Sequence, residues 1–329
     1  MNRSLGVDPR TSASEAACLP ASPGGAPMTA MPILYRAPDG TAFTSAEAID
    51  AQYDLIATLH EYDEHHDFEQ HMASWSERSE AARGRLRCEL KIPYGPTRAE
   101  TLDVFPGEPG GPIVLFLHGG SWSTLTSEEH AFIAPGLVER GATVVVPTYA
   151  LCPDVTIDEI VRQAKAAVAW TSREGARFGA DPNRLAIVGH SAGAHLVARV
   201  LETDWEAEYG LPVSTVAGAC AISGMFDLRP LPYTAEQPLL RLTAEQVLRN
   251  STILNLPLAA PPLLITNGAR QPREYRRQSS DFTAAWTGAG LDGEWWERDD
   301  VNHFNELDAL AEPGSELTER VLRLADGSL

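Results

Sequence analysis

Leu185-Ala186-Ile187-Val188-Gly189-His190-Ser191-Ala192-Gly193-Ala194-His195-Leu196 is the stretch on which the reading of this chain turns. Its first four residues read as a buried strand, and the apolar positions from Ala192 to Val200 read as a helix. Between them, Gly189-His190-Ser191-Ala192-Gly193 fits the G-x-S-x-G pattern, in which a serine stands at a sharp turn from strand to helix. The flanking glycines are needed because side chains there would crowd the turn, whose serine backbone is strained. The positive end of the helix and its free N–H groups then face the serine oxygen. With strand, turn and helix in this order, Ser191 reads as a nucleophile rather than a helix cap.

Outward from this turn, short apolar runs alternate with amphipathic helices. Strands are expected at 86–92, 101–105, 112–117, 142–147, 185–188, 216–222, 262–266 and 293–297. Helices are expected at 128–140, 156–178, from 192, and at 273–287. Continuous apolar strands separated by helices predict an α/β fold, with a mostly parallel central sheet and helices on both faces. Residues 1–30, rich in Ala, Ser, Pro and Gly, read as a disordered tail ahead of a single domain over 31–329. Two helices are expected within 45–83, with Trp75 anchoring the second, and the irregular segment 225–260 is a candidate cap.

The strand ending at Leu117 runs into His118-Gly119-Gly120-Ser121-Trp122. Glycines there let backbone N–H groups approach a substrate carbonyl, so Gly119, Gly120 and Ala192 are the expected oxyanion donors. His118 is expected to be structural, its ring bonded to backbone. Nine histidines compete for the role of base. His303, on the loop after the last expected strand, fits the chain order of nucleophile first and histidine last. His190 and His195 belong to the turn and its helix, and His60, His65, His66 and His71 read as surface residues. The third partner should be a carboxylate on the loop after 262–266. That loop begins Asn267-Gly268-Ala269-Arg270-Gln271 and reaches its first acid only at Glu274. Glu274, Asp227 and Asp300 stay open as candidates.

The formal charge of −19 and the lack of a basic stripe argue against nucleic acid. No apolar run suits a membrane span, and no signal peptide is evident, so a cytoplasmic protein is expected. Four scattered cysteines without a CxxC pair read as buried hydrophobes or idle thiols. The run around Asp63-Glu64-His65-His66-Asp67 and His71 reads as a solvated polar helix rather than a metal site. No G-x-G-x-x-G follows a strand. Neither metal nor organic cofactor is expected.

Together, His118-Gly119-Gly120-Ser121-Trp122, Tyr149-Ala150-Leu151-Cys152-Pro153, Gly189 to Leu196, Ser223-Gly224-Met225-Phe226-Asp227-Leu228 and Glu274-Tyr275-Arg276-Arg277-Gln278-Ser279 resemble the kynurenine formamidases (arylformamidases) of the α/β-hydrolase superfamily. The resemblance spans roughly residue 50 to the C-terminus. It implies hydrolysis of an aryl formamide such as N-formylkynurenine, or of a related small amide or ester, through an acyl-enzyme and without a cofactor. It implies Ser191 as nucleophile, His303 as base, and a homodimer. Trp122, Tyr149 and His190 become expected substrate contacts for an aromatic small molecule, with Phe226, Trp295 and Trp296 as further aromatic candidates. Three positions depart from the family pattern. Gln271 stands at the usual acid, Asn302 replaces the glycine before the histidine, and Asn305 replaces an acidic residue after it. An alternative therefore keeps the scaffold but has it catalyse cyclisation, elimination or acyl transfer in a specialised pathway. A non-catalytic binding protein is a third reading.

Overall fold

All five residues of Ile113–Leu117 are fully buried, which requires cover on both faces of the sheet. In the computed structural model, which describes residues 32–62 and 67–329, this strand lies at the centre of an eight-stranded sheet. The strands are β1 (Glu89–Pro93), β2 (Thr101–Phe105), β3 (Ile113–Leu117), β4 (Thr143–Thr148), β5 (Leu185–His190), β6 (Gly218–Ile222), β7 (Leu263–Gly268) and β8 (Gly293–Arg298). Their spatial order is β8-β7-β6-β5-β3-β4-β2-β1. β2 pairs antiparallel with β1 and β4. From β4 through β8 every pairing is parallel.

The alternation of a strand sends Ile113, Leu115 and Leu117 into one core and Val114 and Phe116 into the other. The first core is closed by α3 (Ile157–Glu174), α4 (Ala192–Leu201) and α5 (Arg273–Gly288), through residues such as Ile160, Val168, Leu196 and Trp286. The second is closed by α1 (Leu55–Tyr62), α2 (Phe68–Arg85) and α6 (Glu316–Ala325), through Leu59, Trp75, Val321 and Leu324. Residues 33–329 form one compact unit. The expected tail, residues 1–30, lies outside the described residues.

Several elements differ from the sequence expectation, among them the stretch expected to hold two helices, which holds three, Ala46–Asp50, α1 and α2. The helix expected over 128–140 is broken into turns at Ser127–Glu129 and Ala131–Ile133 and a helix at Ala134–Glu139. Pro135, lacking an N–H, sits in the first turn of that helix, where it can begin a helix but not continue one. The terminal helix α6 was not anticipated; it packs Leu317, Val321 and Leu324 at helical spacing. Ahead of the sheet, Ser45 caps a helix at Ala46–Asp50, and Asp67 and Gln70 form a capping box for α2. Segment 225–260 holds only short helices, at Gln237–Leu240 and Ala244–Asn250, among turns. Among the described residues, no helix is long and apolar enough to cross a membrane.

Candidate active site

The parallel register sets the ends of four strands side by side, with Leu117 beside Gly189, His190 beside Ile222, and Ile222 beside Thr266. The loops leaving these ends carry the site, as ligand crevices do in open parallel sheets. At the end of β5, Ser191 has φ 56° and ψ −120°, a conformation rare for a residue with a side chain. The turn is as tight as the glycine spacing requires. A Cβ on Gly189 would lie 2.2 Å from the Gly193 carbonyl, and one on Gly193 would lie 2.0 Å from that of Leu117. The Ser191 N–H is spent on the Ile222 carbonyl at 2.8 Å, while its side chain borders a cavity of about 410 Å³.

The loop after β3 passes beside this serine. Gly120 has φ 104°, and a Cβ there would strike the Thr124 carbonyl at 2.1 Å. Among the described residues, no acceptor takes the N–H of Gly119, Gly120 or Ala192. His118 supports the loop from behind. Its Nδ1 is 2.8 Å from the Gly119 carbonyl and its ring stacks on Tyr149 at 4.0 Å. Burial pulls its pKa down to about 4, so the ring is neutral at pH 7.

His303 borders the same cavity from the loop after β8. Its ring is packed among His190 at 4.5 Å, Tyr275 at 5.0 Å and Phe304 at 5.6 Å. Burial, and then the neighbouring His190, hold its pKa well below the ordinary histidine value. A neutral imidazole with one free nitrogen is what a general base needs. Nδ1 lies 3.3 Å from the amide oxygen of Gln271, so Nδ1 carries the proton and Nε2 is left unprotonated.

Gln271 is oriented by what lies behind it. Its Nε2 donates to Ser223 Oγ at 2.7 Å and to Glu306 at 3.0 Å, which turns the oxygen toward His303. Glu306 is fully buried, and its Oε1 is 3.8 Å from His303 Nδ1. It also accepts from His190 Nε2 at 3.1 Å and from Arg298 at 3.2 Å. At this range a carboxylate and an imidazolium attract by about 4 kcal/mol at an effective dielectric of about 20. Sequence reasoning missed Glu306; the available signal was an acid three residues after the histidine, within one helical turn of it.

The three carboxylates left open by the sequence are engaged elsewhere. Glu274 is buried in a two-bond pair with Arg277 and accepts from Tyr53. Asp227 is held by Arg229 and Tyr35. Asp300 is 82% exposed and pairs with Arg270. Two expected substrate contacts also need correction. Trp122 is fully buried, its ring edge-on to His195, and Tyr149 lies under His118 with its hydroxyl on the His118 carbonyl. Both follow the site in sequence but turn into the core beneath it. His190 borders the cavity, but its Nε2 is committed to the His303 carbonyl at 2.9 Å and to Glu306. Phe226 stacks on Phe282 in the core, and neither Trp295 nor Trp296 borders the cavity. The aromatic wall is instead Tyr53, Phe68, Trp75 and Phe304, with Leu55 and Met72 between them. His71 is buried rather than on the surface, stacked on Phe304. The side chains of His60, His65 and His66 lie outside the described residues.

His190, His303 and Glu306 bring potential metal-ligand atoms within 4.8 Å of one another. Each is already engaged in the hydrogen bonds just described. Segment 225–260 reaches the cavity only at Thr234, Ala235 and Glu236, the last accepting from Ser121 Oγ at 2.6 Å.

Comparison with known proteins agrees with this architecture. A family model described as alpha/beta hydrolase fold matches residues 114–262. The kynurenine formamidase of Danio rerio is 31% identical over 262 residues, covering 77% of this chain and 87% of the relative. That of Salmo salar is 32% identical over 263 residues, with the same coverage. A crystal structure from Silicibacter sp. tm1040, described as a "putative thioesterase", superposes with a TM-score of 0.70 at 28% identity, over 83% of this chain and 98% of that one. An esterase of Pyrobaculum calidifontis, at 17% identity and a TM-score of 0.62 over 80% of this chain and 94% of that one, shares the fold. The chain is therefore an enzyme of the α/β-hydrolase superfamily and belongs to its kynurenine formamidase-like branch.

Proposed function

We propose that this enzyme hydrolyses a small aryl formamide, or a related amide or ester, through an acyl-enzyme on Ser191. The observation that carries the reading is that the Ser191 turn, the neutral His303 ring and the loop of Gly119 and Gly120 border one cavity, with Ala192 next to the serine and, among the described residues, no acceptor on the N–H of Gly119, Gly120 or Ala192. Ser191 Oγ attacks the carbonyl carbon while His303 Nε2 takes its proton. The developing oxyanion is met by the amides of Gly119, Gly120 and Ala192, each a factor on the order of 10² to 10³ in analogous sites. Collapse breaks the C–N or C–O bond, and His303 returns the proton to the leaving amine or alcohol. Water, deprotonated by the same imidazole, then releases the acyl group.

Serine and histidine share the cavity without a hydrogen bond between them in this structure. In free enzymes such pairs are often long and tighten only around substrate. A formyl group would suit the narrow passage between Ser191 and the loop of Gly119, where even a Cβ on the glycine would lie 3.1 Å from Ser191 Cβ. An aromatic leaving group would lie against Tyr53, Phe68, Trp75 and Phe304. Asp50, Asp54 and Glu236 border the same space and would attract an ammonium group on the substrate; N-formylkynurenine carries one, with a carboxylate that would have to face away from these acids. The case for a non-hydrolytic reaction was a site without an acid, and Glu306 beside His303 weakens it.

The test is a turnover screen of N-formylkynurenine beside aryl esters of graded acyl length. Activity should favour the shortest acyl groups, and Ser191→Ala should lower kcat by at least about 10³-fold. Wild-type turnover in that variant would end the serine mechanism.

A further inference from the structure

We infer that Glu306 is the positioning carboxylate of His303 and that it acts through the neutral amide of Gln271. The inference rests on the serine–histidine reading above. An amide alone can hold an imidazole, but it has two faces and no charge. If its NH₂ faced the ring, it would fix the wrong tautomer and leave Nε2 protonated, and losing the acid together with the tautomer costs about 10⁴-fold in analogous triads. Here the amide has only one orientation that satisfies its neighbours. Its NH₂ lies between two acceptors, Glu306 at 3.0 Å and Ser223 Oγ at 2.7 Å, so the oxygen faces His303.

The charge follows a second route. When Ser191 Oγ gives its proton to Nε2, the ring becomes an imidazolium with Nδ1–H still on Gln271. No proton passes to Gln271 or Glu306. The positive charge is countered across 3.8 Å by Glu306, whose fully buried carboxylate accepts from three donors, the Gln271 amide, His190 Nε2–H and Arg298, while Arg298 also donates to the Glu306 main-chain carbonyl. The function of an acid at position 271 is thus divided. Gln271 supplies the direction, and Glu306 supplies the charge.

Four proteins test this: wild type, Glu306→Gln, Gln271→Glu and the double exchange. Glu306→Gln keeps an acceptor for Gln271, so the tautomer survives and only the charge is lost. kcat should fall by about 10²-fold with KM changed less than about threefold. The acid limb of kcat/KM should move to lower pH, because the imidazolium has lost its counter-charge. The double exchange, which returns a carboxylate directly to Nδ1, should recover at least about tenfold of the loss. A Glu306→Gln variant within about threefold of wild-type kcat would overturn the inference. So would a loss that the exchange does not recover and that leaves the acid limb in place.

If Arg298, left unpaired, prevents Glu306→Gln from folding, Gln271→Leu serves instead. It keeps the Glu306–Arg298 pair and should still lower kcat at least about tenfold; an unchanged kcat would refute the amide's part. A fluorophosphonate label on Ser191 in every variant separates the two layers. Without labelling in wild type the serine reading itself fails, whereas labelling with a silent Glu306 refutes only the relay.

Discussion

The two sides of His303 are built by different means. On the Ser191 side, what would meet the reacting carbonyl is almost all backbone: one strained serine and the amides of two glycines and an alanine, held by contacts of Gly189, Gly193 and Gly120 that leave no space for a Cβ. On the far side, Ser223, Gln271, Arg298 and Glu306 come from four separate parts of the chain and meet mainly through side chains. The first half admits no substitute, because sterics set it. The second can redistribute its parts, because a charge and a dipole act across a few ångströms whichever residue carries them.

Three outcomes would sharpen or break this contrast. The largest belongs to Gly193→Ala. Its methyl would lie 2.0 Å from the Leu117 carbonyl, so the turn and the loop after β3 must part. kcat/KM should drop by about 10³-fold, with about 2–3 kcal/mol lost in denaturant unfolding. Near-normal kinetics would show that the turn yields after all.

A smaller effect on catalysis is expected from Glu274→Gln. Like Glu306, Glu274 is buried against an arginine, but it does not touch His303. Turnover should change less than about threefold, while chemical denaturation should show roughly 3 kcal/mol lost as Arg277 is left with less of its counter-charge. A collapse of kcat without loss of fold would return Glu274 to the list of acids.

The smallest concerns pH. In the proposed mechanism the neutral form of His303 is the base, and burial lowers its pKa, so kcat/KM should change less than about twofold between pH 7.5 and 6.5. A half-maximal point at pH 6.5 would mean that the ring is wetter than described. Stability should respond in the opposite sense. His118 and His195, held down to about 4 and about 3, refuse protons that the unfolded chain accepts below about pH 6.5. Each should therefore cost about 1.4 kcal/mol per pH unit as pH falls from there toward its folded value.

The same contrast explains what could be read from the sequence. A backbone turn that excludes side chains writes itself as glycine at fixed spacing, so Ser191, Gly119 and Gly120 stood out, and chain order pointed to His303. The strand pattern was equally plain, because strands buried on both faces are continuously apolar. Glu306 carried no such mark: a glutamate entering a helical turn after a loop is the commonest of surface features, and only the fold buries it. Gln271 was visible as a departure, but not as part of a bridge. Trp122 and Tyr149 misled because nearness in sequence says nothing of which way a side chain turns. Of the cavity wall contributed by the helices ahead of the sheet, Trp75 was legible as the anchor of an expected helix; Tyr53 lies in the turn after Ala46–Asp50, and Phe68, the first residue of α2, was not singled out.

Those helices have a consequence for how such an enzyme can diversify. In the proposed mechanism the groups that break the bond hang from the strand ends, whereas much of the cavity surface that would meet the leaving group is contributed by a stretch some forty residues or more upstream of the nearest of them. Selection and chemistry are thus encoded in separate passages of one gene. Substitutions between Asp50 and Trp75 can retune what is accepted while the reactive centre keeps its shape, so one scaffold can be handed from one metabolite to another without being rebuilt.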